Sequence, residues 1–163
     1  MRFLLACLVA FGLLISGCDK PPAFKSTDIS GVDWGKNFSL TDHTGTPRQL
    51  ADYKGKAVVL FFGYTQCPDI CPTTLATMNE AMKLLGSDAA RVQVLFATLD
   101  PARDTQALLA QYVPQFNASF VGLRGDDATM AASAKDFRAF YAKVPGATPT
   151  TYTIDHSTGS YAF

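Results

Sequence analysis

Apolar residues in this chain gather into continuous runs separated by spaced stripes, and that alternation predicts the elements. Ala57–Gly63 reads Ala-Val-Val-Leu-Phe-Phe-Gly, a composition expected of a strand buried on both faces. Leu75, Met78, Met82 and Leu85 then recur at helical spacing. Pro72 suits the first turn of that helix, where its missing N–H costs nothing, and Gly86 ends it. Met78 and Met82 fall on the same stripe and read as core, not as thioether ligands. Val92–Leu99 is the next buried strand. Asp100–Pro101 predicts the opening of a second helix, with Asp100 as cap and Leu108, Leu109, Tyr112 and Val113 on the inner face. Phe120–Leu123 is a short strand, and Asp127 to about Tyr141 a third helix through Met130, Ala134, Phe137 and Tyr141. A last extended segment begins at Thr151–Ile154 and runs to the chain end. Ahead of all this, Phe38–Leu40 and Arg48–Leu50 flank the turn signal Asp42–Gly45, so a small hairpin is expected, with His43 solvated in its loop. Strands alternating with helices demand a mostly parallel sheet covered by helices.

The first residues follow another pattern. A basic start at Arg2 precedes an apolar stretch from Leu4 to Ile15, shorter than the roughly 20 residues of a membrane span. It ends in Ile15–Ser16–Gly17–Cys18, which looks like a bacterial lipobox. Residues 1–17 are therefore expected to be an export signal, Cys18 the lipid-bearing first residue of the mature chain, and 18–36 a Pro-, Ser- and Gly-containing tether. Asp19 after the lipidated cysteine suggests retention at the inner membrane, facing the periplasm. The folded part, 37–163, is expected to be one domain.

Charge removes some function classes. The chain of 163 residues carries 14 basic and 14 acidic side chains. Loss of the leader removes only Arg2, leaving 14 − 1 = 13 basic against 14 acidic. Such balance argues against nucleic acid as a partner and against a polybasic membrane patch.

Candidate chemistry rests on cysteines. Cys7 leaves with the signal and Cys18 takes lipid, so Cys67 and Cys71 remain as thiols in a compartment where disulfides persist. A thiol pair between the first buried strand and its helix points to a thioredoxin-like α/β fold with an N-terminal β-hairpin addition. By themselves the two residues fit a redox couple, a metal clamp or a staple. A staple closing so short a loop contributes roughly 2 kcal/mol, little for a domain with a real core. Cys71 lies at a helix start, where the dipole favours thiolate. Asp69 between them either tunes their charge or is simply solvated. Thr65 superficially suggests a peroxidase threonine, but its spacing from Cys67 is off by one.

Four segments in order carry a more specific signal. They are Gly63–Tyr64–Thr65–Gln66–Cys67–Pro68–Asp69–Ile70–Cys71–Pro72, Asp100–Pro101–Ala102–Arg103–Asp104–Thr105, Val121–Gly122–Leu123–Arg124–Gly125 and Tyr152–Thr153–Ile154–Asp155–His156–Ser157. From about Phe38 to Phe163 the chain resembles the Sco/SenC family, membrane-tethered copper-binding proteins that help assemble cytochrome c oxidase. The resemblance implies that Cys67 and Cys71 are copper thiolates and His156 the third ligand. It also implies a metallochaperone, not an enzyme, whose partners are the copper-bearing oxidase subunit and other copper or thiol-redox proteins. The chemistry agrees: Cu(I) is soft and favours thiolates, and imidazole suits either copper state. Family members continue with another strand and a terminal helix, so the domain reads as C-terminally incomplete, with His156 expected on an uncovered sheet edge. Thiol–disulfide exchange through Cys67 and Cys71, reducing exported cysteine pairs such as those of the oxidase subunit, stands as the alternative.

Overall fold

The run Ala57–Gly63 forms β3, and its alternate side chains enter two different layers. A computed structural model describes residues 24–148 and 151–163. The expected signal, the lipidated Cys18 and the first part of the tether lie outside the described residues. Within 24–32 only local turns are present, such as Ser30 N donating to Asp28 Oδ1. Asp33–Phe163 forms one unit. Its packing starts slightly before Asn37: Gly35 N donates to Asp136 O, and the Trp34 ring meets Tyr161 edge-on.

The strands are β1 (Ser39–Asp42), β2 (Pro47–Gln49), β3, β4 (Val92–Thr98), β5 (Val121–Arg124), β6 (Tyr141–Pro145), β7 (Tyr152–His156) and β8 (Ser160–Ala162). The helices are α1 (Ile70–Leu85), α2 (Gln106–Tyr112) and α3 (Asp127–Asp136). Six strands make one sheet in the order β2-β1-β5-β4-β3-β8, parallel across β3, β4 and β5 and antiparallel elsewhere. β6 and β7 pair in a separate antiparallel sheet. Stepping from β3 to β4 to β5 through right-handed crossovers places α1 and α2 on one face. Their cross-link agrees, because Asn117 Nδ2 after α2 donates to Asn79 Oδ1 of α1 at 2.9 Å. Phe61 and Phe96 meet on this face. Phe62 turns to the other, where it packs with Phe137 and Tyr161.

The N-terminal hairpin forms as expected, around a buried carboxylate. Asp42 accepts from Thr44 N, Thr44 Oγ1, Thr46 N and Arg48 Nε. Burial opposes its ionisation, yet the donors from Thr44, Arg48 and Thr46 outweigh that and hold it at about 2. Gly45, at φ 90°, supplies the left-handed turn. His43 is not a solvated loop residue. It is half-buried, and its Nδ1 accepts from Gly122 N at 2.9 Å, locking the hairpin to β5.

Three boundaries differ from expectation. α2 opens at Gln106, not at Asp100, because Arg103 N and Asp104 N close a turn on Asp100 O and Thr105 Oγ1 caps the helix through Leu108 N. α3 stops at Asp136, five residues before Tyr141. Arg138 adopts φ 53°, and Ala139 N donates back to Ala134 O, which turns the chain away. Tyr141 thereby begins β6. The final extended segment is two strands, β7 and β8, and β8 rather than the His156 strand is the edge beside β3.

Candidate metal centre

β3 ends in Gly63, and the chain then loops through Tyr64–Asp69 before α1 begins. Cys67 sits in that loop, half-exposed, while Cys71 is the second residue of α1 and fully buried. Cys71 N donates to Cys67 Sγ at 3.4 Å, so the helix start turns one of its free amides toward the first sulfur. Gly63 makes room for the second. A Cβ there would lie 2.8 Å from Cys71 Sγ and 2.9 Å from Phe96 Cε2, so only glycine lets β3 pass this close beneath the thiol.

The third donor arrives from far along the chain. His156 closes β7, where it pairs with Tyr141 of β6. Its ring stands edge-on to Phe61 and Tyr64, at centroid distances of 6.1 and 6.0 Å. Nδ1 lies 2.9 Å from Ser157 O. A carbonyl only accepts, so Nδ1 carries the proton and Nε2 presents a lone pair. That lone pair faces Cys71 Sγ at 3.5 Å. Cys67 Sγ, Cys71 Sγ and the His156 nitrogen all lie within 4.8 Å of one another. The three residues proposed from sequence thus converge, with the imidazole already in the tautomer a ligand needs.

This donor set fits a soft metal ion. Two sulfurs and a nitrogen in an aromatic shell favour ions that accept thiolate over those that demand carboxylate and water. With zinc as a guide, metal–ligand bonds of about 2.0–2.3 Å put ligands on one ion at most about 4.6 Å apart, so donors lying within 4.8 Å of one another would need to close by only a few tenths of an ångström. Burial pushes the Cys71 thiol well above its usual range and outweighs the helix start that was expected to favour thiolate, so an ion bound here would have to displace its proton.

Around the donors is a polar frame that sequence reasoning largely missed. Asp104 is fully buried and accepts from Thr65 N, Thr65 Oγ1 and Thr98 Oγ1, tying the thiol loop to the end of β4. Burial raises its carboxyl, and the bonds from Thr65 and Thr98 oppose the rise. Thr65 is occupied by this contact, which explains it without peroxidase chemistry. Asp100, expected as a helix cap, is also fully buried. It accepts from Arg103 Nε and, at 2.7 Å, from Tyr152 Oη. Burial first, and then the bond to Asp100, push the Tyr152 phenol up to about 12. Asp69 is exposed at the mouth of α1, where Thr73 Oγ1 donates to it at 3.3 Å. Met78 and Met82 pack in the core, as their stripe predicted. The sequence did hold a signal for the frame, since Asp100–Thr105 and Tyr152 stand in the segments quoted above, but local spacing alone suggested only a helix start.

Comparison with known proteins adds an independent line. The SCO1/SenC family model matches residues 26–163. The mouse "Protein SCO2 homolog, mitochondrial" is 39% identical over 127 residues, covering 77% of this chain and 50% of that protein. A SCO2-like protein of Rickettsia felis is 36% identical over 131 residues, 80% of this chain and 64% of the relative. The chain thus spans about half the length of the mitochondrial relatives it matches. Among solved structures, copper-bound ScoI of Bradyrhizobium japonicum is 39% identical with a TM-score of 0.75, covering 79% of this chain and 82% of that one. Copper-bound yeast Sco1 is 34% identical with a TM-score of 0.71, covering 79% and 72%. The shared architecture is thioredoxin-like, as the strand–thiol–helix order predicted.

Proposed function

This chain belongs to the SCO1/SenC family, and we propose that it carries copper on Cys67, Cys71 and His156 as cargo for the assembly of cytochrome c oxidase. The convergence of two sulfurs and one imidazole nitrogen within 4.8 Å is the observation that carries this reading. Similar proteins solved with copper bound support the choice of ion. Cu(I) takes thiolates readily, and three donors leave room for an incoming ligand from an acceptor. A closed four-ligand cage would hold the ion without that opening. Loading displaces thiol protons, so uptake should release acid. The acceptor we favour is the copper-bearing subunit of the oxidase. Titration of the reduced full chain with Cu(I) should show one equivalent bound, and His156→Ala should weaken it markedly. Affinity indifferent to that substitution would defeat the assignment.

Position in the cell follows from the leader. We assign residues 1–17 to an export signal and Cys18 to lipidation, which would hold the domain at the periplasmic face of the inner membrane. A Bacillus anthracis SCO1/SenC family lipoprotein, 26% identical with a TM-score of 0.68, supports that arrangement. Mass spectrometry of the N-terminal peptide from membranes should find an acylated cysteine. An unmodified Cys18 in an intact leader would remove this assignment.

A second reading, thiol–disulfide exchange, is favoured by the unequal exposure of the two sulfurs. Here the half-exposed Cys67 thiolate attacks a disulfide of an exported protein and expels one of its thiolates. The Cys71 thiol, giving its proton to the expelled substrate thiolate, then attacks Cys67 in the mixed disulfide, leaving an internal disulfide and a reduced substrate. Stopped-flow reduction of an exported disulfide protein tests it, and exchange no faster than that of a free small thiol would end it.

A further inference from the structure

The hairpin that delivers His156 is not part of the main sheet. Among the described residues the backbone ladders of β6 and β7 join only each other, and the chain re-enters the main sheet at β8, beyond His156, so no ladder fixes β7 itself relative to the thiol loop after β3. Side-chain contacts must therefore set the imidazole beside Cys71.

Arg103 occupies the required place. Its Nε donates to Asp100 Oδ2, and its Nη1 donates to the backbone oxygen of Tyr152 at 2.9 Å. The guanidinium lies over the Tyr152 ring, 3.6 Å from its centroid, and 5.8 Å from the centroid of Tyr64. Tyr152 closes the arrangement by donating Oη to Asp100 Oδ1 at 2.7 Å. One side chain therefore joins the segment after β4, the start of β7 and the first residue of the thiol loop. Tyr64 in turn abuts the His156 ring. Only a planar cation can donate in its own plane to a carboxylate and a carbonyl while stacking on an aromatic face.

We infer that Arg103, locked to Asp100 and stacked on Tyr152, is a positioning residue that sets the distance between His156 and the two thiols. It touches no donor atom and acts through the hairpin. The inference rests on the copper reading for its consequence but not for its geometry. An untethered hairpin swings the imidazole out and leaves a two-sulfur site. A clamped one presents the third donor before the ion arrives, as outer partners of metal ligands commonly do.

Two readouts on the full chain test this. In metal-free protein, Arg103→Lys should speed amide hydrogen exchange in β6 and β7 while leaving β3 and α1 unchanged. Competition for Cu(I) with a chromophoric chelator should show affinity reduced about tenfold by Arg103→Lys. The same substitution in a His156→Ala background should cost nothing further. Equal loss in both backgrounds would mean a general structural role and overturn the proposal, as would unchanged hairpin exchange. Tyr152→Phe keeps the ring and removes only the bond to Asp100, so it decides the matter if Arg103→Lys does not fold: it should give the same pattern, smaller. Failure of the copper reading is separately visible, since His156→Ala alone would then leave Cu(I) affinity unchanged while the metal-free exchange still judges the clamp.

Discussion

The two halves of the donor set are built by different means. Cys67 and Cys71 are placed by backbone: a central parallel strand, a glycine beneath the second sulfur and the first turn of a 16-residue helix. His156 is placed largely by side chains, on a hairpin outside the main sheet whose attachments are the buried Ile154, the Arg103–Tyr152–Asp100 clamp, the Phe61 and Tyr64 rings against the imidazole, and the short link into β8. A backbone-built site resists change until the core yields, whereas a side-chain-built one can open alone. Segments with few ladder bonds to the core occupy the low-stability end of a fold. The thiol half is thus the fixed part of the site and the imidazole half the adjustable one, a division that would suit the cargo role proposed above.

The sharpest way to break this contrast is Ile154→Ala. The side chain is the hairpin's buried anchor, and its truncation should cost about 2–5 kcal/mol. If the halves are separable, that loss appears as faster exchange across β6 and β7, with β3 and α1 protected as before. Uniform acceleration would join the halves into one cooperative unit. Gly63→Ala attacks the other half. The new methyl meets Cys71 Sγ and Phe96 below 3.0 Å, and overpacking of this kind costs about 1–3 kcal/mol. Global melting temperature should fall and Cu(I) binding weaken even with His156 in place. A variant of native stability and affinity would show that the sulfur is not held where it stands.

Acid offers a control remote from both halves. Asp42 sits at about 2 when folded, below its ordinary 3.8, so its contribution is present above the ordinary value and lost as pH falls through the folded one. A depression of this size corresponds to roughly 2 kcal/mol, fading between about pH 4 and pH 2. Denaturant unfolding over that range should show the loss in the native protein and a smaller slope in Asp42→Asn. Equal slopes would remove Asp42 as its source. Ser157→Ala should have the smallest effect. It deletes the acceptor for Phe140 N at the base of the hairpin, worth about 1 kcal/mol, while the carbonyl that orients His156 remains. Exchange at Phe140 should quicken with Cu(I) affinity nearly unchanged, and a large affinity loss would mean that the hinge, not the clamp, sets the imidazole.

Sequence made the backbone-built half legible and the side-chain-built half obscure. β3, β4 and α1 announce themselves because continuous apolar runs and a helical stripe are local properties, and Cys67 and Cys71 lie where those elements meet. His156 was reached through resemblance, since nothing near it in the chain predicts an approach to Cys71. The clamp was hidden for a plainer reason. An Asp before a Pro is a good helix cap by local rules, and only a tyrosine 52 residues away recruits Asp100 for another task. The end of α3 was missed because Met130, Ala134 and Phe137 keep their helical spacing through Phe137, and the left-handed turn at Arg138 carries no glycine to announce it. β6 was missed because Tyr141–Pro145 is at most half-buried and shows no alternation of the kind that marks strands on a core.

The outermost strand beside β1 has a consequence for behaviour in crowded solution. β2 is three residues long, includes Pro47, which has no amide hydrogen, and places the charged Arg48 between Pro47 and Gln49. A foreign strand seeking to extend the sheet at that margin would find a missing donor and a guanidinium, both of which discourage edge-to-edge aggregation.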